Sequence, residues 1–156
     1  MGLNGSTVRM FDWYNCNRAL LDEPEKIRSQ AVEIAGLTGL QVIGSRLFYY
    51  PEGGSLIVIA LAESHIRLEI WPGVDERGYV NGEVQLCHFT QDNRELVHVL
   101  YLRLQELLNP DQVSYHTLER GPWPVGTPSG DFIRLSKREI WKNPHHHPSA
   151  VAMNLE

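Results

Sequence analysis

The sequence predicts a mixed fold in which two helices cover one face of a β-sheet. Two segments place apolar side chains on a single helical face, and five other segments have the composition and spacing of strands. Because each helix is apolar on one side only, both must pack against another layer, and the strand segments supply that layer.

Both predicted helices begin with a capping box, in which an Asp precedes a Glu by three positions. Asp22 and Glu25 open the first helix, with Pro24 between them, and Asp92 and Glu95 open the second. The apolar positions are Ile27, Ala31 and Ile34 in the first helix, and Val97, Leu100, Tyr101, Leu104 and Leu108 in the second. The second helix is expected to end at the Asn-Pro-Asp sequence that follows it.

Four strand segments lie between the helices and one follows the second helix. They are LQVIGSRLFYY, LIVIALA, HIRLEIW, YVNGEVQLC and QVSYHTL. In the third of them, Ile66, Leu68 and Ile70 alternate with mostly polar side chains. One face of that strand is therefore expected to be core, and the other solvent or a site.

The composition indicates one globular domain, with 42% hydrophobic residues, 21% charged residues and a net charge of −5. The acidic balance argues against a nucleic-acid partner, and no apolar run reaches the roughly eighteen residues of a membrane span. The N-terminus lacks the apolar core of a signal peptide, so the expected location is cytoplasmic. We expect a single domain over residues 1–135 and a flexible tail over 136–156, whose triplet His145–His147 lacks the fixed geometry of a metal site.

The two cysteines, Cys16 and Cys87, are too few for a disulfide framework and do not have the spacing of a metal site. Each is expected to be a free thiol, which either packs in the core or takes part in chemistry.

A polar Glu63-Ser64-His65 step joins two strand segments at the end of a strongly apolar run. On its own, such a step is typical of a hydrophilic hairpin turn. Four further segments accompany it in order, from about residue 11 to residue 121: YNCNRALLD, FYYPEGGS, GYVNGEVQLC and VSYHTLERG. Together they resemble the short bacterial type of S-adenosylmethionine decarboxylase, whose hallmark is an E-S-H step before an apolar-alternating strand that ends in W-P.

The resemblance implies that the chain cleaves itself between Glu63 and Ser64. The Ser64 hydroxyl attacks the Glu63 carbonyl to give an ester, and elimination and hydrolysis leave a pyruvoyl group at position 64. This ketone forms a Schiff base with the substrate amine and accepts the electrons left when carbon dioxide departs. The expected cofactor is this pyruvoyl group, without a metal ion or pyridoxal phosphate.

Other site residues follow from matching positions in the family. Cys87 corresponds to a catalytic cysteine that protonates the carbanion after decarboxylation. Ser55 corresponds to a processing serine, although its interval to Ser64 is one residue longer than in the family, a difference that a bulge would absorb. Tyr49 occupies the place of an aromatic residue that stacks on adenine, and Trp71 lies on the expected site face of its strand.

Two positions depart from the family pattern. The family carries a histidine five residues after its pyruvoyl-forming serine, where this chain carries Glu69. The family's W-P-E supplies a carboxylate that binds the ribose, whereas here Trp71 and Pro72 precede Gly73. A site that loses a ribose ligand and gains a carboxylate suits a smaller cationic amino acid. The expected substrate is therefore L-arginine or L-ornithine, with Glu69 in substrate binding.

Two alternatives stay open. The first is an ordinary S-adenosylmethionine decarboxylase, which makes the aminopropyl donor for spermidine, with Glu69 either replacing the histidine or pairing with Arg67. The second is an uncleaved paralogue that regulates an active partner, although Ser64 and Cys87 would then have no role.

The resemblance implies an α+β sandwich, in which an antiparallel sheet has helices packed on one face. It also implies a homodimer of processed protomers, which suits a sheet whose second face must meet another surface. Cys16 matches a family position that has no assigned role, and we expect it to pack in the core.

Overall fold

Six strands form one antiparallel sheet in the computed structural model, which describes residues 5–73 and 78–121. The strands are β1 (Ser6–Cys16), β2 (Val42–Tyr49), β3 (Ser55–Leu61), β4 (Ser64–Trp71), β5 (Gly78–Cys87) and β6 (Gln112–Arg120). Their order across the sheet is β2-β3-β4-β5-β1-β6, and every neighbouring pair is antiparallel. The five strands predicted from the sequence are confirmed.

Within the described residues there are three helices, and two of them cover one face of the sheet. The helices are α1 (Arg18–Leu21), α2 (Pro24–Leu37) and α3 (Arg94–Leu108). The core between the layers contains Ile27, Ala31, Val97, Leu100 and Leu104 from the helices, and Ile57, Ile59, Ile66, Leu68, Ile70, Val80 and Val84 from the sheet. Each buried Ile or Leu contributes about 1.5–3 kcal/mol, so this layer is the main source of stability. The structure confirms the predicted α+β class.

The two predicted capping boxes are wrong. The helix α2 starts after Glu23 and α3 after Asn93, and neither residue makes a side-chain cap. Asp22 is the C-cap of α1, a short helix that the sequence analysis missed, and so cannot begin the next helix. Asp92 lies one position too early, although its carboxylate still accepts a 3.0 Å hydrogen bond from the Arg94 N–H.

The strand β1, like the short helix α1, was not predicted from the sequence. It lies between β5 and β6 and directs Phe11 and Trp13 toward α3, with ring centroids 4.1 Å apart. The Trp13 indole N–H donates to the Tyr101 hydroxyl of α3 at 3.3 Å. Arg9 and Asp12 interrupt the apolar pattern of this strand, which explains why alternation alone did not predict it.

The second face of the sheet, which we call the open face, has no helix over it within the described residues. Four large apolar side chains on this face are exposed: Met10, Tyr14, Phe48 and Leu118. The described residues contain no helix of the length and apolar character that crossing a membrane requires. The predicted domain end at residue 135 and the tail with His145–His147 lie outside the described residues.

Candidate active site

The turn between β3 and β4 holds the predicted cleavage bond. Only Ala62 and Glu63 separate the paired residues Leu61 and Ser64, so the turn is a two-residue hairpin. Ser64 has a φ of 154°, in the positive-φ region that residues with side chains rarely adopt. Backbone of this kind costs on the order of 1–3 kcal/mol, and here the strain lies at Ser64, next to the Glu63–Ser64 bond.

The carbonyl oxygen of Glu63 has a fixed hydrogen-bond donor. The main-chain N–H of Cys87, at the end of β5, donates to it at 2.8 Å. The Cys87 carbonyl in turn accepts a 2.8 Å hydrogen bond from the Asn93 side chain, which ties this strand end to the start of α3. A donor aimed at a carbonyl stabilises the negative charge that develops on its oxygen during nucleophilic attack. This geometry places Cys87 beside the predicted cleavage bond.

A chain of polar side chains runs from Ser64 across the open face. The Ser64 hydroxyl oxygen lies 3.1 Å from Nδ1 of His65, and Nε2 of His65 lies 2.9 Å from Oε1 of Glu83. Arg67 approaches the same Glu83 oxygen at 3.7 Å and contacts Glu69 at 3.3 Å. Neither His65 nor Glu83 was assigned a role from the sequence.

Glu69 is held by other protein groups. Besides Arg67, its carboxylate accepts hydrogen bonds from the Tyr50 hydroxyl at 3.2 Å and from the Asn81 amide at 3.3 Å. Desolvation and the adjacent Glu69 carboxylate raise the pKa of Tyr50, so this hydroxyl stays protonated as a donor. The Tyr50 ring also stacks on Trp71, with centroids 5.2 Å apart. Glu69 therefore pairs with Arg67, as one of the sequence-based alternatives expected.

Ser55 and Tyr49 lie apart from this chain. The pairing of β3 with β4 is continuous from Ser55 to Ser64, so the bulge that the predicted role of Ser55 requires is absent. Without it, Ser55 is buried on the helix-covered face and Leu56 occupies the open face, because successive strand residues point to opposite sides. Tyr49 pairs with Ser55 and lines a groove with residues at the start of α2.

Distance also separates Ser55 from the cleavage bond. Ser64 pairs with Leu61, six residues along β3 from Ser55, which corresponds to roughly 20 Å of strand. Glu69 is five residues from Ser64 along β4, or roughly 17 Å. Within one protomer, the structure therefore brings together Glu63, Ser64 and Cys87, but it does not bring Ser55 or Glu69 to them.

The two thiols have different surroundings. Cys16 is 5% exposed within the core, as expected for packing, whereas Cys87 is partly exposed. Burial, together with the nearby Asp111, raises the pKa of Cys16 to about 12. Cys16 is therefore a neutral core thiol, and Cys87 is the thiol available to a reaction beside Ser64.

The described residues contain no group of three His, Cys, Asp or Glu side chains arranged to hold a metal ion. A pyruvoyl group at position 64 would derive from Ser64 itself. The strained backbone at Ser64 and the N–H donor on the Glu63 carbonyl fit that origin, because both favour attack on this carbonyl.

Residues 8–121 match the family described as S-adenosylmethionine decarboxylase, and the chain belongs to this family. It is a family of pyruvoyl-dependent carboxy-lyases. The S-adenosylmethionine decarboxylase proenzyme of Archaeoglobus fulgidus is 28% identical over 108 residues, which cover 69% of this chain and 90% of the relative. That of Thermococcus onnurineus is 33% identical over 82 residues, and the match spans 53% of this chain and 56% of the relative.

The fold has a counterpart among solved structures. The crystal structure of the adenosylmethionine decarboxylase from Aquifex aeolicus matches with a TM-score of 0.62 and 20% sequence identity. The match covers 81% of this chain and 98% of that chain. At this identity the likeness shows a shared fold.

Proposed function

We propose that this chain is a self-processing S-adenosylmethionine decarboxylase whose pyruvoyl group comes from Ser64. The observation that carries the proposal is the hydrogen bond from the Cys87 N–H to the Glu63 carbonyl, next to the strained backbone of Ser64. This arrangement supports attack of the Ser64 hydroxyl on the adjacent carbonyl. The names of the relatives from Archaeoglobus fulgidus and Thermococcus onnurineus support the substrate.

The cleavage begins as a transfer of the Glu63 acyl group from nitrogen to oxygen. The Ser64 oxygen bonds to the Glu63 carbonyl carbon, and the negative charge on the carbonyl oxygen is stabilised by the Cys87 N–H. The carbon–nitrogen bond then breaks, which leaves an ester and a free amine on Ser64. Loss of the Ser64 α-proton expels the Glu63 carboxylate, and hydrolysis of the resulting enamine releases ammonia.

The pyruvoyl group supplies an electron sink for decarboxylation when it is present. Cys87 is the proposed proton donor to the carbanion, because its position next to the Glu63 carbonyl places it beside residue 64. Its partial exposure is consistent with access to a bound substrate. Trp71, on the open face, and Tyr49, on the other side of the sheet, are proposed as substrate contacts on the family resemblance alone.

The expectation that the substrate is a basic amino acid loses its main support. That expectation needed Glu69 to be a free carboxylate for a cationic substrate, whereas Glu69 is bound by Arg67, Tyr50 and Asn81. The relatives' names favour S-adenosylmethionine instead. We therefore place S-adenosylmethionine ahead of arginine and ornithine.

We also propose that the protein is a homodimer joined through the open faces of its sheets. The exposed side chains of Met10, Tyr14, Phe48 and Leu118 on this face support the proposal, because such surface is stabilised by a partner. A partner placed there would also lie over the polar chain that begins at Ser64.

Mass spectrometry of the purified full chain tests the proposed function. We expect one fragment that ends at Glu63 and one that starts at position 64 without a free amine, whereas Ser64→Ala should stay intact. The processed protein should then release carbon dioxide from S-adenosylmethionine. A wild-type chain that stays whole would favour the uncleaved regulatory alternative.

A further inference from the structure

We propose that His65, oriented by Glu83, is the base that activates the Ser64 hydroxyl for self-cleavage. The inference rests on the proposed cleavage between Glu63 and Ser64 and assigns a side chain to its first step. His65 is the catalytic residue, because its ring contacts the reacting oxygen of Ser64. Glu83 is a positioning residue, because it acts through the ring.

The hydrogen bonds determine which nitrogen of His65 is free to accept a proton. Nε2 lies 2.9 Å from Oε1 of Glu83, and an ionised carboxylate only accepts, so in the neutral ring Nε2 carries the hydrogen. Nδ1 is then unprotonated and lies 3.1 Å from Oγ of Ser64, within reach of its proton. Serine hydrolases also use a carboxylate to hold an imidazole in one tautomer with its other nitrogen at a serine hydroxyl, although in His65 the two ring nitrogens exchange these places.

The sheet fixes this geometry. His65 pairs with Gln85 across β4 and β5, and Glu83 is two residues further along β5 on the same face. Glu83 pairs directly with Arg67, whose Nε lies 3.7 Å from the oxygen that His65 contacts. The carboxylate is thus held from two sides, and its side chain is 24% exposed against 34% for His65. The side chains of His65, Arg67 and Glu83 therefore lie on rigid strands rather than on a mobile loop.

Glu69, which stands where the family has a histidine, does not fit this task within the protomer. It lies roughly 17 Å from Ser64 along β4, and its carboxylate is bound by Tyr50 and Asn81. Ser55 is buried on the helix-covered face, whereas His65 and Glu83 lie on the open face. Among the described residues, His65 is the titratable side chain whose atoms lie within hydrogen-bond distance of the Ser64 hydroxyl.

The proton and electron balance follows from these positions. Nδ1 of His65 takes the hydroxyl proton as the Ser64 oxygen bonds to the Glu63 carbonyl carbon. The ring is then a cation, which the Glu83 carboxylate stabilises through Nε2–H. When the carbon–nitrogen bond breaks, its electron pair goes to the Ser64 nitrogen, and Nδ1 returns the proton there. The ring is restored, and the products are the ester and a free amine.

The test follows cleavage of the full chain over time after cell-free synthesis, by gel electrophoresis and mass spectrometry. We expect His65→Ala to cleave at least about 100-fold more slowly than wild type, the range typical of a lost general base. Added imidazole should restore part of the rate, because it fits the space left by the ring and supplies the missing nitrogen. Glu83→Gln should slow cleavage about tenfold or more, because an amide does not stabilise the cationic ring.

His98→Gln is the matched control and should cleave at the wild-type rate, since His98 lies on α3 and contacts Arg9. If the wild type cleaves, and both His65→Ala and Glu83→Gln cleave at the wild-type rate, this inference is overturned and the proposed function stays intact. Failure of the wild type to cleave would instead overturn the proposed function. If circular dichroism shows that His65→Ala does not fold, the cleavage rate of Glu83→Gln tests the inference instead. A slowed rate supports the inference and an unchanged rate overturns it.

Discussion

The main-chain N–H of Cys87 donates a 2.8 Å hydrogen bond to the carbonyl oxygen of Glu63. One residue is thereby linked to two different steps of the proposed reaction. Its backbone stabilises the oxyanion formed during cleavage, and its thiol is the proposed proton donor during decarboxylation. Cys87→Ala removes the thiol alone, whereas Cys87→Pro removes both the thiol and the N–H, so the difference between these two variants isolates the backbone donor.

We expect Cys87→Ala to cleave at nearly the wild-type rate and to decarboxylate about 10²–10⁴-fold more slowly, since the backbone donor stays and the acid is lost. Cys87→Pro removes the N–H and should slow cleavage about 100-fold or more. Cleavage is measured by mass spectrometry and turnover by carbon dioxide release, with circular dichroism to verify the fold. Full turnover in Cys87→Ala would show that the thiol only packs.

The position of Ser55 predicts that it is dispensable for cleavage. Its side chain is buried on the helix-covered face, roughly 20 Å along the strand from the residue that pairs with Ser64. Ser55→Ala should therefore cleave within about twofold of the wild-type rate, while Ser64→Ala stays whole. A stalled Ser55→Ala precursor that is fully folded would restore the processing role that the family spacing suggested.

Most of the sheet could be predicted from the sequence, because the strand pattern there is clear. β4 alternates apolar and mostly polar residues without a break, and its core positions Ile66, Leu68 and Ile70 are fully buried, as predicted. β1 was missed because Arg9 and Asp12 obscure the apolar pattern of this strand, although Phe11 is one of its core residues.

The site was harder to predict than the fold. The interval between Ser55 and Ser64 is one residue longer than in the family. The extra residue either moves Ser55 to the other face of the sheet or forms a bulge, and only the observed register decides between these two outcomes. His65 belongs to the E-S-H step, but Glu83 is 18 positions away and meets it through strand pairing, so no local motif marks the contact between them. The signal that the sequence offered was the alternation in β4, which places His65 on the face expected to carry the site.

The two thiols should differ in reactivity. At mildly alkaline pH, iodoacetamide should modify Cys87 in the folded chain well before Cys16, because Cys16 is 5% exposed and its pKa is raised to about 12. Peptide mapping by mass spectrometry measures both rates, and labelling in guanidinium chloride provides the unfolded control. Equal rates in the folded chain would contradict the buried position of Cys16.

The burial of Cys16 also predicts that the protein becomes less stable at alkaline pH. Cys16 has a pKa of about 12 when folded and about 9 when exposed, so the unfolded chain loses its proton first as the pH rises. The contribution of this thiol to stability is complete below pH 9 and decreases from there toward pH 12. Tyr79, whose pKa is raised to about 12 by desolvation and Asp12, acts in the same direction above pH 10. Urea unfolding from pH 8 to pH 11 should show a falling midpoint, and a smaller fall in Cys16→Ala.

A single charge on the open face should disrupt the proposed homodimer. Phe48→Lys places a charge next to Arg46, in a region that dimerisation would bury. We expect sedimentation equilibrium to give the dimer mass for wild type and the monomer mass for Phe48→Lys. Leu37→Lys is the control, because Leu37 is also apolar and is even more exposed than Phe48, but it ends α2 on the other side of the sheet. A monomeric wild-type protein would contradict the proposed assembly.

The contacts of Glu69 predict which substrate the processed chain accepts. Arg67 lies 3.3 Å from its carboxylate, and Tyr50 and Asn81 donate to it, so its charge is neutralised within the protein. Glu69→Gln should therefore leave the preference for S-adenosylmethionine unchanged, although the loss of the ion pair should lower the free energy of unfolding by about 1 kcal/mol or less. Carbon dioxide release is measured separately with S-adenosylmethionine, arginine, ornithine and lysine, for wild type and Glu69→Gln. Turnover of arginine or ornithine by wild type, abolished in Glu69→Gln, would instead restore Glu69 as the ligand of a cationic substrate.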